Sequence, residues 1–328
     1  MLSHSWRIAT ALTAAAASLS LITACASSGS TTAAGSMPTP ATTPGTSAAQ
    51  FPVTVHAANG SVTIPVRPTA IVSLSPTATE MLYAIGAGSQ VKAVDKYSNY
   101  PKGTPLTSLD GDQVNIEAIA SYQPDLVVAS QVSAGMGKQL GALGIPVLSE
   151  PAAANLDQAY QEIVQLGQAT GHTTAAHAEV TKITGQVAAI VKSMPKPASP
   201  VTYYYELDQT YYSETSATFI GQVLGMLGLT SIADSARGAA SSGGYPQLSA
   251  EFILKTNPDY IFLADTICCQ QSPATVAARP GWSTLRAVQD GRVIALNDDI
   301  ASRWGPRIVN LLQTVTQALR RHPVRAGS

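Results

Sequence analysis

The sequence predicts an α/β protein of two lobes joined by a long helix, and three observations predict it. One unit is written twice, NIEAIASYQPDLVVA at Asn115 to Ala129 and SAEFILKTNPDYIFL at Ser249 to Leu263, each placing a glutamate (Glu117, Glu251) ahead of Pro-Asp and a short apolar run. Runs such as LVVA and YIFLA are apolar on both faces, as strands of a covered parallel sheet are, and they alternate with helical patterns. Finally, Leu156 to Met194 contains no proline and carries small apolar residues at helical spacing until MPKPASP stops it.

The chain opens on an apolar, Ala-rich run, Ile8 to Ile22, behind Arg7 and closing on Ile22-Thr23-Ala24-Cys25. Residues 1–24 thus have the layout of a secretory leader and not of a membrane-spanning helix. An apolar residue, a small polar one and Ala directly before Cys resemble a bacterial lipobox, which makes Cys25 the lipidated first residue of the mature chain. The other reading is an ordinary signal peptide that ends near a cysteine. Residues 25–50 are almost entirely Ser, Thr, Ala, Gly and Pro without a charge, so they cannot offset their ordering entropy and are expected to be a flexible stalk. The chain beyond the stalk divides into an N-terminal lobe over 51–170, a connecting helix over 171–195 and a C-terminal lobe over 196–322.

Phe51 to Val66 reads as two alternating strands around a type I′ turn at Asn59-Gly60. The run Ile71 to Leu74 leads through Ser75-Pro76-Thr77 into a helix, with Thr77 or Thr79 as its cap, Glu80 in the first turn, and Gly86 and Gly88 as stops. KAVDKY is the next strand, and the first copy of the repeated unit comes after it. In it Asn115 caps a short helix, Glu117 lies in the first turn, Pro124 ends the helix and LVVA is a strand. A helix over Ala134 to Leu143 and the strand IPVLSE complete the first lobe. Gly171 divides the long Pro-free stretch into two helices, the second of about five turns. The βα pattern then restarts with VTYYYEL, the helix SATFIGQVLGMLG, the second copy with Ser249 as cap, the strand RVIALN and a terminal helix from about Pro306 to Arg320.

Composition narrows the function. Nineteen Lys and Arg stand against 20 Asp and Glu with no basic block, so nucleic acid and acidic membrane surfaces are poor partners. His56, His172 and His177 are scattered, so no free metal ion is expected to be bound. No G-x-S-x-G, H-E-x-x-H or P-loop is present, which leaves a surface enzyme or an adhesin without recognisable chemistry as the reading of another class.

SLSPTATEMLYAIGAG, VDKYSNYP, NIEAIASYQPDLVVAS, GYPQLSAEFILKTNPDYIFLAD, RPGWSTLRAVQDGRVIALN and RWGPRIVNLL occur in this order over nearly all of the chain after the stalk. In them the chain resembles the class III substrate-binding proteins of ABC importers for cobalamin, ferric siderophores and haem. The resemblance implies two Rossmann-like lobes bridged by a rigid helix, a ligand cleft between them and no enzymatic activity. It further implies a monomer on the extracytoplasmic face of the cell membrane, held there only by its lipid anchor. Its partner would be a permease dimer with its ATPase subunits. It would carry no cofactor of its own, although the ligand itself contains cobalt or iron. One exposed glutamate per lobe docks on permease arginines in this family, and by position these match Glu117 and Glu251.

Ligands of open α/β sheets bind outside the carboxyl ends of the strands. Those loops hold Ser75, Pro76, Thr77, Tyr97 and Tyr100 in the first lobe. In the second they hold Tyr205, Glu206, Tyr211, Tyr212, Tyr245, Arg303 and Trp304. Tyr97 matches an aromatic position that lines the cleft in the cobalamin-binding relative, and Tyr245 lies in the loop where that relative carries a tryptophan over its ligand. An aromatic cleft with few charges suits a big, flat or bulky ligand such as a corrinoid, a metal chelate or a porphyrin. KYSNYP and GYPQLSAE most resemble the cobalamin-binding branch of the family, which implies a corrinoid first, a ferric siderophore second and haem third. For Tyr203 and Tyr204 simple core packing is an equal reading. Cys268 and Cys269, at the cleft end of a strand, form either a vicinal disulfide or two free thiols, and the disulfide is the expectation.

Overall fold

The computed structural model of the protein describes residues 50–194 and 199–324. The expected leader, Cys25 and all of the stalk except Gln50 lie outside the described residues.

A hairpin of β1 (Val53–Ala57) and β2 (Gly60–Ile64) comes first, with Val55 opposite Val62. The expected type I′ turn at Asn59-Gly60 is not formed, because Ala57 pairs with Gly60 and only Gly60 has positive φ, 102°. A type I′ turn needs two consecutive left-handed residues. Asn59 instead fastens the hairpin to the lobe, donating to the Val147 carbonyl at 2.8 Å and accepting from the Ser149 N–H at 3.1 Å.

The first lobe has a parallel sheet of β3 (Ile71–Leu74), β4 (Val91–Val94), β5 (Leu126–Ala129) and β6 (Val147–Ser149), in the order β4-β3-β5-β6. The second has β7 (Val201–Glu206), β8 (Leu229–Ser231), β9 (Tyr260–Leu263) and β10 (Val293–Ala295), in the order β10-β9-β7-β8 and again parallel. Counted from its own first strand, each sheet reads 2-1-3-4. The strands are covered on both faces, which is why they are apolar without alternation. In β7, Tyr203 and Tyr205 face a core that also receives Ile71 and Leu148 from the first lobe, whereas Tyr204 faces an outer core with Trp282. Val72 and Val127 face the corresponding outer core of the first lobe.

The shared core is built on α4 (Leu156–Thr170), α5 (Thr173–Lys192) and α11 (Ile308–Arg321), which contribute Leu166, Ile183 and Leu312. Gly171, at φ 77°, separates α4 from α5. One turn earlier the two helices touch so closely that a Cβ on Gly167 would stand 2.4 Å from that of Ala176.

The helix after β3, α1 (Pro76–Ala84), starts earlier than expected. Ser75 is its cap, accepting from the Ala78 N–H at 3.3 Å, and Pro76 takes the first turn, where a missing N–H costs nothing. Neither Thr77 nor Thr79 caps it, and Glu80 consequently falls in the second turn.

The repeated unit has one structure in both lobes. Asn115 caps α2 (Ile116–Ala120), Ser249 caps α7 (Ala250–Thr256), and Glu117 and Glu251 lie in their first turns. Left-handed Gln123 (φ 49°) and Asn257 (φ 48°) turn the chain into Pro-Asp. The aspartates then reach back to the start of the lobe's first strand. Asp125 accepts from the backbone N–H of Thr69 at 2.8 Å and of Ala70 at 3.0 Å, while Asp259 accepts from that of Thr202 at 2.9 Å. Each aspartate's own N–H closes the ring on a backbone carbonyl, Ala70 at 2.9 Å and Thr202 at 3.0 Å. The Pro-Asp half of the repeat thus sets the register between the third and first strands.

Candidate functional site

The loops leaving the carboxyl ends of the two sheets meet. In the first lobe, Asp95 directly follows β4 and accepts from the Tyr97 N–H at 3.0 Å, and the loop beyond it leaves Tyr97 and Tyr100 53% and 45% exposed. In the second lobe, the strip after β7 pairs with the loop before α7, with the Ser213 N–H on the Pro246 carbonyl at 3.0 Å and a bridge between Tyr212 and Gln247. Gly244, at φ 91°, lets this loop lie against Thr215 and Thr218, where a Cβ would clash with the Thr218 methyl at 2.9 Å. Tyr212 and Tyr245 lie on these two paired segments, 40% and 45% exposed. Tyr97, Tyr212 and Tyr245 are thus exposed on loops that follow strands, whereas Tyr100 lines a groove with Tyr83, Lys182 of α5 and Gln313 of α11.

The remaining expected ligand residues are placed differently. Ser75 and Thr77 are buried in the capped start of α1, with Pro76 half-buried. Tyr205 is fully buried, its hydroxyl donating to the Ala301 carbonyl at 2.8 Å. Glu206 is fully buried too and is gripped through both oxygens by Arg279, at 2.6 and 2.5 Å. Arg279 lies over Trp282 at 4.5 Å, and Tyr211, at φ 71°, stacks on that indole at 5.7 Å. Glu206 and Tyr211 therefore belong to the interior of the second lobe. Trp304 is half-buried and donates its indole N–H to Glu162 at 2.8 Å.

Arg303 is a clasp between lobes. It donates to Glu80 at 2.7 Å, to the Tyr97 carbonyl at 3.0 Å and to Asp299 at 2.7 Å. Arg307 adds two donations to Glu80, at 2.8 and 2.5 Å, and lies over the Tyr100 ring at 4.2 Å. Asn99 donates to Asp299 at 2.8 Å across the same seam. Here the loop after α10 (Asp298–Ala301) rests on the start of α1, with Gly305 against Thr77.

Cys268 and Cys269 are free thiols, not the expected vicinal disulfide. Their α-carbons are joined by a trans peptide, and so are about 3.8 Å apart, short of the span of about 4.4–6.8 Å that an unstrained bridge uses. The loop is held open by Asp298, which accepts from the backbone N–H groups of Thr266, Ile267 and Cys268 at 2.8 to 3.0 Å.

Glu117 and Glu251 are both exposed, and neither side chain has a partner among the described residues. Among the described residues no group of His, Cys, Asp and Glu is arranged to hold a metal ion, and no helix is long and apolar enough to cross a membrane.

Several buried acids carry raised pKa values. Burial pushes Glu162 and Glu214 up to about 7, and burial with the Glu162 carboxyl pushes Glu150 up to about 9. Asp265 is raised to about 7 by burial and by the neighbouring Glu206. The folded state thus keeps protons that the unfolded chain sheds above about pH 4.5, so these groups stabilise the fold below that pH and their contribution is lost as pH rises through their folded pKa values. His172, lowered by burial and by Arg67, works the opposite way below its ordinary range. The urea midpoint is therefore expected to be higher near pH 5.5 than near pH 8.5, and to differ less in the Glu162→Gln, Glu214→Gln double variant. A midpoint that rises over this interval would contradict the assignment.

Residues 71–300 match the periplasmic binding protein family. The chain belongs to that family. Like its relatives, this periplasmic binding protein is a solute-binding component and not an enzyme. An ABC transporter substrate-binding lipoprotein of Bacillus subtilis is 31% identical over 283 residues, covering 82% of this chain and 86% of the relative. A cobalamin-binding protein of Halobacterium salinarum is 30% identical, covering 83% and 75%. Among solved structures, a periplasmic vitamin B12 binding protein of Vibrio cholerae is 25% identical with a TM-score of 0.63, covering 80% of this chain and all of the other. The fold is accordingly the class III periplasmic binding protein fold that the family resemblance implies.

Proposed function

We propose that this protein is the extracytoplasmic receptor of an ABC importer, anchored through lipid on Cys25, that closes its two lobes on a cobalamin-type corrinoid. The observation that carries the reading is the exposure of Tyr97 on one lobe and of Tyr212 and Tyr245 on the other, on loops that follow strands. Tyrosine rings offer wide, stiff contact area with a polar tip, which fits a bulky ligand with a flat macrocycle and a polar rim. Every arginine described at the seam is already paired, so the site has little to offer a ligand recognised through several carboxylates. Delivery then depends on Glu117 and Glu251, one per lobe on the equivalent helix, receiving arginines of a two-subunit permease. The names of the cobalamin-binding relatives support the choice of ligand.

The test is a titration of the mature protein with cobalamin, cobinamide, a ferric hydroxamate and haem, read by quenching of intrinsic Tyr and Trp fluorescence. Saturable micromolar or tighter binding of the corrinoids alone is expected, with Tyr97→Ala and Tyr245→Ala each costing more than about 1 kcal/mol, as anchoring aromatic residues do. Binding of the ferric chelate or haem alone would replace the ligand and leave the receptor; no binding at all would remove the reading.

A further inference from the structure

Resting on that reading, we propose that Glu150 is a specificity-determining contact of the cleft, a carboxylic acid that donates a hydrogen bond to an uncharged carbonyl oxygen on the rim of the bound ligand. Glu150 directly follows β6, with its N–H on the Ala129 carbonyl at 2.9 Å, and so lies at the carboxyl end of the first lobe's sheet. It is only 2% exposed, yet neither side-chain oxygen has a hydrogen-bond partner among the described residues. Buried polar groups are almost always paired, and a carboxyl with both oxygens orphaned calls for a specific explanation.

Its surroundings supply one. Successive strand residues alternate faces: Val147 packs in the outer core and Leu148 in the shared core, which directs Glu150 toward the shared side, where α4 and the other lobe lie. The charged neighbour there is Glu162 of α4, whose carboxyl receives the Trp304 indole from the second lobe at 2.8 Å. Four residues after Glu150, the Ala154 carbonyl receives Gln222 of the second lobe at 2.7 Å. Glu150 therefore lies at the carboxyl end of its sheet, beside the seam between lobes. The other described acid with two orphaned oxygens, Asp265, differs because it faces Glu206, which Arg279 already neutralises.

Burial and the adjacent Glu162 keep Glu150 neutral at pH 7, and a neutral carboxyl has one O–H to give. Among the described residues no cation faces the pair, so an ionised ligand group arriving there would be left unpaired. An amide carbonyl accepts the proton without that cost, as the amide-bearing rim of a corrinoid can. The site selects for uncharged carbonyl groups and against carboxylates.

The experiment compares wild type, Glu150→Gln and Glu150→Ala in the mature chain, titrated with cobalamin, cobinamide, a ferric hydroxamate and haem, with urea midpoints measured in the absence of ligand. Gln retains a donor and is expected to bind the wild-type ligand within about twofold, whereas Ala is expected to bind it about tenfold more weakly, the loss of one hydrogen bond. The ligand-free midpoint of the Ala variant should equal or exceed that of wild type, since an orphaned buried acid has been removed. Unchanged ligand binding by the Ala variant would overturn the role of Glu150 and leave the receptor reading in place. A lowered ligand-free midpoint would also overturn it, by making Glu150 a structural residue. A wild type that binds no member of the panel would overturn the receptor reading and this assignment together.

Discussion

Reversing both exposed glutamates, Glu117→Arg with Glu251→Arg, is expected to abolish ligand uptake in cells while leaving the ligand affinity of the isolated protein unchanged and lowering its urea midpoint only modestly. Both side chains are exposed and unpartnered among the described residues, so their charge serves the fold only through the helix dipole. A glutamate in the first turn of a helix gains about 0.3–1 kcal/mol from the helix dipole and an arginine there loses a similar amount, so reversal costs at most about 2 kcal/mol in each lobe. Against a permease arginine the change is larger. Truncating one member of an interfacial charge pair costs about 2–5 kcal/mol, and reversal adds repulsion, so each lobe should lose at least about thirtyfold in docking affinity. The two sites lie on equivalent helices, so the single variants should each impair uptake and the double variant should remove it. Uptake in cells and binding of the purified receptor to permease in nanodiscs measure this. Normal uptake by the double variant would show that the repeated glutamates serve only their helices.

The repeated unit also separates what the sequence discloses from what it hides. Its caps, its first-turn glutamates and its apolar strands are local features, and Asn115, Ser249 and both short helices stand where their residue types put them. The work of Asp125 and Asp259 is not local. Each aspartate bonds a backbone more than 50 residues earlier, a distance across which a sequence carries no spacing signal. The repetition itself was the available clue, since a Pro-Asp kept in both copies asks for a role in both.

The cleft divides along the same line. Exposed tyrosines on loops after strands are legible, because the position of a loop follows from the strand before it. Glu206 and Arg303 occupy such loop positions as well, yet their charges are taken up by Arg279 and by Glu80, which lie 73 and 223 residues away. A lone charged residue at a strand end thus reads as a ligand contact until its distant partner is known. Glu150 had the opposite fate. Nothing in LSEPAAA marks it, because its distinguishing property is the lack of any partner, and that exists only once the lobes are together.

Glu80→Ala is expected to have the largest effect on stability of any single change in the shared seam. Its carboxylate is 1% exposed and receives three hydrogen bonds from Arg303 and Arg307, whose side chains are themselves 8% and 15% exposed. Removing the acid leaves two guanidinium groups facing each other away from water, and breaking a buried ion pair in this way costs about 3–5 kcal/mol. Asp299, Asn99 and the Tyr97 carbonyl continue to hold Arg303, whereas Arg307 keeps the Tyr100 ring and the field of Asp299 but no side-chain hydrogen bond among the described residues, so the loss should fall mainly on the contact of α11 with α1. Substituting all three residues by methionine should restore most of the urea midpoint, because a well-packed apolar cluster can replace a buried ion pair at little cost. It should not restore the fixed spacing of the lobes, since apolar packing lacks the directional bonds that tie Glu80 on one lobe to Arg303 on the other. Small-angle scattering should therefore report a broader distribution of lobe separations in the triple variant than in wild type, with ligand affinity reduced by the population that is too open to close. Equal midpoints for Glu80→Ala and wild type would mean that the shared core alone, through Leu166, Ile183 and Leu312, fixes the lobes and that the clasp is dispensable.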